Sequence, residues 1–328
     1  MTRHITSPMA RQVLTVVAVT GLACALLPLG SNFVVSFGSQ FMLWITLAVS
    51  WSLFSGNSGY ASFGHGVFFG VGTYITAAVL RSTDMGFPVA MLAGGLAAGA
   101  LALAVGLAVF SSSRFAGDLF GLVTLAMAFI VTTVVANVPA LDGGTGVFIR
   151  EHVAGSWIGE DTRHVYLVCT ALAGLTALVA LGASATRWGT ALRSIRDDET
   201  VAQSLGVPTY RYKVATFAVS AALAGLAGAP QAVYLGYVET SSVFTLNIPL
   251  MVIMMTILGG TTRWYGPIVG AASVAILREA LLDVGSPELA QIVTGLTLVV
   301  VIALMPRGLT GFLSRPRPLA TTRAGTSP

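Results

Sequence analysis

The sequence predicts an all-α polytopic integral membrane protein with about ten transmembrane helices and both termini in the cytoplasm. Of its 328 residues, 55% are hydrophobic and 9% are charged, whereas a soluble domain has about 25% charged residues. No Asp, Glu, Lys or Arg occurs between Arg11 and Arg81. Since one membrane-spanning helix takes about 20 residues, that stretch alone holds two or three spans.

Ten apolar runs define the predicted spans. They are 12–30, 37–54, 63–80, 85–110, 118–138, 165–185, 213–236, 246–260, 266–282 and 288–306. Short runs such as 246–260 are candidates for re-entrant segments, and glycine or proline inside a span permits a broken helix. The spans form one predicted transmembrane domain, 12–313, between a cytoplasmic N-terminus at 1–11 and a basic tail at 314–328. The tail has no apolar periodicity and is predicted to be disordered.

The basic residues predict the orientation of these spans. With the N-terminus inside, 13 of the 17 Lys and Arg residues fall on the cytoplasmic side, as the positive-inside rule requires. Adding or removing one span would destroy this bias. The net charge of +4 therefore reflects orientation. It does not indicate a nucleic-acid partner, because no basic and aromatic surface lies outside the spans.

A Gly-rich segment, SGNSGYASFGHGVFF at 55–69, interrupts the predicted spans. Its four glycines weaken helix propagation, and Ser58 or Ser62 is a candidate cap for the next helix start. Two interpretations stay open: a tight cytoplasmic turn, or a broken helix whose backbone groups line a path through the membrane. His65 in this segment has three candidate roles: a structural hydrogen bond, a contact with the transported molecule, and proton coupling.

The cytoplasmic loop 186–212 is the most charged part of the chain and predicts one amphipathic helix from Gly189 to Leu205. The predicted apolar face carries Leu192, Ile195, Ala202 and Leu205. On the other face, Arg193 is spaced to pair with Asp197, and Arg196 with Glu199 or Thr200. Gly206 and Pro208 are a stop signal. Such a helix is either a solvated or interfacial connector or a docking helix for a cytoplasmic partner.

The outer loop 139–164 contains the sequence DGGTG at 142–146. This motif is either a nest of backbone N–H groups for an anion or a turn that shapes a docking surface. Four acidic residues, Glu239, Glu279, Asp283 and Glu288, also fall on the outer side. They form either a solvated rim or a contact with an outer partner.

Several motifs resemble a known family. The pattern E-x-x-A-x-x-x-G at Glu199–Gly206 resembles the loop by which bacterial ABC-importer permeases dock on their ATPases. Residues 187–229 look like branched-chain amino acid permeases, the LivM type in particular. The segments GYASFGHGVFFGVGTY (59–74), ILGGTTRWYGPIVGAA (257–272) and MPRGLTGFL (305–313) agree in order, so the resemblance spans residues 40–313. Three departures are Val201 in place of an alanine, a glycine one residue late, and Asp142 where a threonine is expected.

The resemblance implies one subunit of an importer in the bacterial inner membrane. Its partners would be a homologous second permease, two cytoplasmic ATPases, a periplasmic amino-acid-binding protein and the lipid bilayer. The chain lacks the G-x-x-x-x-G-K-[ST] phosphate loop, so we expect ATP to be used by the partner subunits and no cofactor or catalytic residue here. No His, Cys, Asp and Glu set has metal-ligand spacing.

An amino acid crossing lipid needs hydrogen-bond partners for its charged groups and an apolar wall for its side chain. The residues assigned to this pathway are Asn57, Ser58, Gly59, Tyr60, Ser62, Phe63, His65, Gly66, Gly144 and Thr145. Those assigned to ATPase coupling are Arg193, Arg196, Asp198, Glu199, Ala202 and Gly206.

Two alternative functions stay open. A permease of the same family for urea or short amides shares much of the motif set. An autonomous ion-coupled secondary transporter would need a coupling-ion site, usually intramembrane carboxylates near the midplane. Every acidic residue of this chain falls in a loop or at the end of a predicted span, which argues against the second alternative.

Overall fold

The computed structural model describes residues 8–26, 30–83, 85–111, 117–138, 145–153, 155–284, 292–293, 295–296 and 308–312. In these residues nine long helices occupy nine of the ten predicted spans. The tenth, 288–306, lies almost entirely outside the described residues, and the predicted tail at 314–328 lies wholly outside them.

The elements follow one another in a simple order. The long helices are α1 (Pro8–Leu26), α2 (Asn32–Trp51), α3 (His65–Ser82), α4 (Phe87–Val109), α5 (Asp118–Asn137), α8 (Thr162–Ala185), α11 (Thr209–Leu235), α13 (Asn247–Gly259) and α14 (Gly266–Val284). The short helices are α6 (Arg150–Val153), α7 (Trp157–Glu160), α9 (Arg187–Asp197), α10 (Glu199–Ser204), α12 (Thr240–Val243) and α15 (Gly308–Phe312). Two strands of two residues each are β1 (Val147–Phe148) and β2 (Tyr237–Val238).

The helices confirm a polytopic membrane protein. Within the described residues, seven helical stretches are long and apolar enough to cross a membrane. Helices α3 and α14 are not among these seven; α3 contains Arg81, and α14 contains Arg278 and Glu279. The count of ten spans and the cytoplasmic position of both termini stay predictions.

Helix α11 lies at the centre and packs against α2, α3, α4 and α8. Small residues permit this close packing, as is common between membrane helices. A Cβ added at Gly72 of α3 would lie 2.1 Å from the carbonyl oxygen of Gly225 in α11. Phe68, near the start of α3, also packs on Phe217 of α11 with ring centroids 5.3 Å apart. The two contacts place α3 beside α11 and bring the start of each helix to the same end of the bundle.

The fold is not strictly all-α, because β1 and β2 pair antiparallel, with Val147 opposite Val238 and Phe148 opposite Tyr237. The rings of Phe148 and Tyr237 are 4.3 Å apart between centroids. Strands of two residues leave no periodic sequence signal, so the sequence did not predict them. They fasten the loop before α6 to the end of α11.

Candidate functional site

The helix breaks inside the Gly-rich segment. Helix α2 continues through a π-helical turn, Ser52–Gly56, and α3 begins only at His65. Asn57 closes the end of the turn by donating to the carbonyls of Ser52 and Leu53, at 3.0 and 3.1 Å. Gly59 follows with a left-handed φ of 79°, a conformation that glycine accepts without steric cost.

The predicted serine cap is wrong. The residue before α3 is Gly64, and no side chain caps this helix start. Ser58 instead donates to the carbonyl of Phe54 at 2.8 Å, because it lies within one turn of the preceding helix end. Ser62 is buried, and its hydroxyl has no hydrogen-bond partner among the described residues.

The rest of the segment is packed into the protein. Trp51 donates its indole N–H to the carbonyl of Ser62 at 2.8 Å, and the backbone N–H of Phe63 donates to the hydroxyl of Thr124 at 3.1 Å. A Cβ added at Gly66 would lie 2.9 Å from the ring of Pro249 in α13. These residues therefore join α2, α3, α5 and α13 where the chain changes direction.

His65 is bound inside this packing. It is 2% exposed, and its Nε2 lies 3.0 Å from the hydroxyl of Ser50. Its ring meets Phe68 edge-on at 6.4 Å. Of its three candidate roles, the structural hydrogen bond is the one that these contacts support.

The charged loop forms two helices instead of the single predicted helix. The break falls at Asp198, whose carboxylate accepts from the backbone N–H groups of Thr200 and Val201 at 2.8 and 3.0 Å. An aspartate that caps a helix start stabilises a new helix there, so α9 ends and α10 begins. The predicted stop is confirmed at Gly206, which has a φ of 85°.

The predicted faces are partly wrong. Leu192, Ile195 and Ala202 are buried, but Leu205, which follows the last residue of α10, is 78% exposed. The predicted pair of Arg193 with Asp197 and the predicted pairing of Arg196 are absent from the described residues. The ion pairs there are Arg163 with Asp161 and Lys213 with Glu199.

The guanidinium of Arg196 points across to the Gly-rich segment. It donates to the carbonyl of Gly56 at 2.8 Å and to the hydroxyl of Thr261 at 3.1 Å. A Cβ added at Gly59 would lie 3.1 Å from Cγ of Arg196. The absence of a side chain at Gly59 thus lets α9 lie directly on the break between α2 and α3.

Glu199 and Lys213 form the centre of this contact. The Nζ of Lys213 lies 2.5 Å from Oε1 of Glu199, and the two side chains are 7% and 22% exposed. Tyr60 donates its hydroxyl to the other carboxylate oxygen of Glu199, and Thr209 donates to Oε1 at 3.1 Å. We call this set, Tyr60, Arg196, Glu199, Thr209 and Lys213, the charged junction.

An aromatic cluster lies beneath the charged junction. The Nζ of Lys213 is 4.8 Å from the ring centroid of Tyr60 and 5.0 Å from that of Phe110. Phe120 and Phe217 pack on Phe110 at 5.1 and 5.9 Å. A cation over aromatic faces is favourable when it is shielded from water. The ammonium of Lys213 is therefore stabilised both by the carboxylate of Glu199 and by the rings of Tyr60 and Phe110.

The protonation of the charged junction follows from these contacts. Burial alone raises the pKa of the Glu199 carboxyl, but the hydrogen bonds from Lys213, Tyr60 and Thr209 and the charge of Lys213 outweigh burial. The pKa of Glu199 therefore lies below its ordinary value. Burial, followed by the hydrogen bond and charge of Glu199, raises the pKa of Tyr60. Glu199 is thus ionised and Tyr60 is a proton donor at neutral pH.

The predicted pathway residues do not form one site. Of residues 57–66, Tyr60 belongs to the charged junction and Gly59 lies against Arg196. Thr145 lies beside β1, and its carbonyl accepts from the hydroxyl of Tyr237 at 3.0 Å. Tyr237 follows the far end of α11, and 24 residues at roughly 1.5 Å each separate it from Lys213, or about 36 Å. Gly144 and Asp142 lie outside the described residues.

Lys213 is a site residue that the sequence did not predict, because in the sequence it is only one of the basic residues that set the orientation of the spans. Glu199 and Lys213 are 14 residues apart, so no local spacing links them. One signal was available: Lys213 lies near the start of a long apolar helix and has no acidic residue one turn away. Such a cation indicates a partner elsewhere in the chain.

Comparison with known proteins identifies the family. The family described as branched-chain amino acid transport system, permease component, matches residues 33–302. The permease protein LivM of the high-affinity branched-chain amino acid transport system of Escherichia coli K12 is 28% identical over 324 residues, which covers 91% of this chain and 75% of that protein. LivM of Salmonella typhimurium LT2 is 28% identical over 323 residues, covering 89% and 74% of the two chains.

A second type of relative matches more weakly. LivH, the permease protein of the same Escherichia coli K12 system, is 25% identical over 299 residues, covering 86% of this chain and 94% of that protein. No solved structure matches the chain. Since the family match covers most of the sequence, the chain belongs to the family of branched-chain amino acid transport system permease components.

Proposed function

We propose that this chain is a permease subunit of an ATP-driven importer for branched-chain or other hydrophobic amino acids in the bacterial inner membrane. It works with a homologous second permease, two cytoplasmic ATPases that use the ATP, and a periplasmic binding protein that delivers the amino acid. The observation that carries the proposal is the Glu199–Lys213 pair, which ties the predicted docking loop to the central helix of the bundle.

The surface of α9 and α10 is suited to an ATPase. Trp188, Val201 and Leu205 are 44%, 53% and 78% exposed. They are apolar side chains in the most charged loop of the chain, and exposed apolar groups rimmed by polar ones are typical of protein interfaces. Gly206, beside Leu205, has open space where a side chain would stand, so a partner surface can approach closely. We call Trp188, Val201 and Leu205 the docking face.

The charged junction carries movement from the docking face into the membrane. Glu199, the first residue of α10, faces Lys213, the fifth residue of α11, while Arg196 faces the carbonyl that ends the π-helical turn after α2. A displacement of α9 and α10 by the ATPases therefore acts on α11 and α2 together. Removing one partner of a buried ion pair costs about 3–5 kcal/mol, so this contact is costly to break.

Glu199 and Leu205 have different roles in the proposed docking loop. The carboxylate of Glu199 faces into the protein, where both of its oxygens accept hydrogen bonds. Glu199 therefore anchors the loop to α11, and the docking face makes the contact with the ATPase. The residues at 57–66 shape the anchor point, and a direct contact of these residues with the amino acid stays a prediction.

Reconstitution of the importer tests the proposed function. The chain, its second permease, the ATPases and the binding protein are placed in proteoliposomes with ATP on the ATPase side. Labelled leucine accumulates only with ATP and the binding protein. Uptake by the purified chain alone, driven by a sodium or proton gradient, would show the secondary transporter instead. Accumulation of urea or acetamide in place of leucine would show the amide permease.

A further inference from the structure

A groove lies on the face formed by α2, α11, α13 and α14, toward the end of α11 opposite the charged junction. Its cavity volume is about 440 Å³, within the range of about 300–1,000 Å³ for small-molecule sites. The lining includes Phe33, Phe37, Phe41, Trp44, Arg278 and Glu279. We call this cavity the aromatic groove.

One wall of the aromatic groove is a column of aromatic rings. Phe33, Phe37 and Phe41 are spaced four residues apart on α2, so their side chains share one face of the helix. Neighbouring rings are 6.3 Å apart between centroids, with interplanar angles of 13° and 2°. Met255 of α13 and Val274 of α14 also line the cavity. The column offers a continuous apolar surface to a ligand.

Two neighbouring residues of α14 bring charges of opposite sign to the aromatic groove. Arg278 and Glu279 both line the aromatic groove, and in the described part of the chain neither takes part in an ion pair. Arg278 is exposed and Glu279 is partly buried. The charged junction differs, because there the acidic and basic groups satisfy each other. Here a guanidinium and a carboxylate remain open to a ligand.

The polar groups of this face argue against a surface that contacts only lipid tails. Gln40 donates its side-chain amide to Gln231 of α11 at 3.1 Å, and Gln40 also lines the aromatic groove. Amides and charges are costly against hydrocarbon, and within membrane proteins they face a water-filled path or another protein surface. Arg278 and Glu279 on the same face strengthen this conclusion.

We infer that the aromatic groove holds the amino acid during its passage, with the zwitterionic end at Arg278 and Glu279 and the apolar side chain on the Phe33–Phe37–Phe41 column. The guanidinium of Arg278 matches an α-carboxylate, with which arginine forms paired hydrogen bonds. The carboxylate of Glu279 matches an α-ammonium group. This inference rests on the proposed function and places the substrate at a different site from residues 57–66.

The test uses the complete reconstituted importer with three variants. Arg278→Gln and Glu279→Gln each remove one charge, and Ala275→Trp fills the aromatic groove without removing a polar group. Arg81→Gln is the matched control, because Arg81 is exposed at the end of α3, away from the aromatic groove. Leucine uptake, ATP hydrolysis stimulated by the loaded binding protein, and the subunit content of the purified complex are measured for each.

We expect leucine uptake to fall at least about tenfold in Arg278→Gln and Glu279→Gln, as the loss of a charge-assisted contact predicts. A similar fall is expected in Ala275→Trp, because the indole ring occupies the space of the ligand. Stimulated ATP hydrolysis should stay near the wild-type rate, because the charged junction is about 30 Å away along α11. Uptake equal to that of the Arg81→Gln control would overturn the inference. Loss of the second permease from the variant complexes would also overturn it, since the aromatic groove would then be a protein interface.

Failure of the proposed function has its own signature in the same experiment. A wild-type complex that shows no ATP-dependent leucine uptake overturns the function, and the inference with it. A wild-type complex that transports leucine, together with variants that transport equally well, overturns the inference alone.

Discussion

The charged junction and the aromatic groove handle charge in opposite ways. At the charged junction, Glu199 and Lys213 are mostly buried and lie 2.5 Å apart. In the aromatic groove, Arg278 and Glu279 line a cavity and form no ion pair in the described residues. A charge pair that is satisfied inside the protein holds two segments together, whereas charges left open can recognise a molecule that comes and goes.

This difference separates the two tasks of an importer along the length of α11. Lys213, the fifth residue of α11, lies at the charged junction, and Tyr234 in its last turn lies at the aromatic groove. A displacement of the docking loop can therefore be transmitted along α11 to the aromatic groove, where the amino acid is held. Variants at the two ends should then change different measurements.

The largest expected effect concerns the docking face. Leu205→Asp places a charge on a side chain that is 78% exposed, so the free energy of unfolding should change by no more than about 0.5 kcal/mol. We expect the ATPases to be lost from the purified complex and uptake to be lost with them. Co-purification followed by gel analysis checks the result. Met85→Asp is the control, since Met85 is an apolar side chain that is 55% exposed after the end of α3. Equal ATPase content in the two variant complexes would contradict the assignment of the docking face.

A glycine pair gives a smaller and sharper comparison. Gly59 and Gly206 both have left-handed φ values, 79° and 85°, so alanine at either position adds strain of about 1–2 kcal/mol. Only at Gly59 would the new Cβ meet Arg196, 3.1 Å away. We expect Gly59→Ala to lower leucine uptake several-fold more than Gly206→Ala, measured per amount of complex. Equal losses would show that α9 does not need to lie on the break between α2 and α3.

The smallest expected effect is the pH dependence of stability. Because the pKa of Glu199 is lowered in the folded protein, its ionised form stabilises the fold above the ordinary pKa of about 4.3 and this stabilisation is lost as pH falls further. Thermal unfolding in detergent should show the wild type more stable than Glu199→Gln at pH near 7, with the difference shrinking below about 4.3. A difference that disappears already near neutral pH would contradict the lowered pKa.

The sequence predicted the helices well because apolar runs and punctuating glycines are local signals. The ends of α4, α5 and α13 fall within two residues of the predicted spans. One continuous helix across Asp198 was predicted, but the structure has a break there. Whether α9 extends or α10 is capped depends on packing around both helices, which a local pattern does not contain. The predicted capping role of Ser58 failed because its hydroxyl donates to the carbonyl of Phe54 in the preceding helix and not to the start of α3.

Site residues could be predicted from the sequence only where they belonged to one continuous motif. Glu199 and Tyr60 were assigned from two separate motifs and given different roles, yet they share a hydrogen bond. Lys213 and the aromatic groove depend on helices that are distant in sequence, such as α2 and α14. No periodicity within one helix could have predicted that these groups face each other.

Reversal of the ion pair at the charged junction tests the central claim most directly. Glu199→Lys, Lys213→Glu and the double variant are compared in the reconstituted importer for leucine uptake and for ATP hydrolysis stimulated by the loaded binding protein. We expect each single variant to keep its ATPases but lose most uptake and stimulation, because an unpaired buried charge costs about 3–5 kcal/mol, and the double variant to recover much of both. Single variants that transport normally, or a double variant no better than the singles in a correctly assembled complex, would contradict the claim that Glu199 and Lys213 act as one coupling contact.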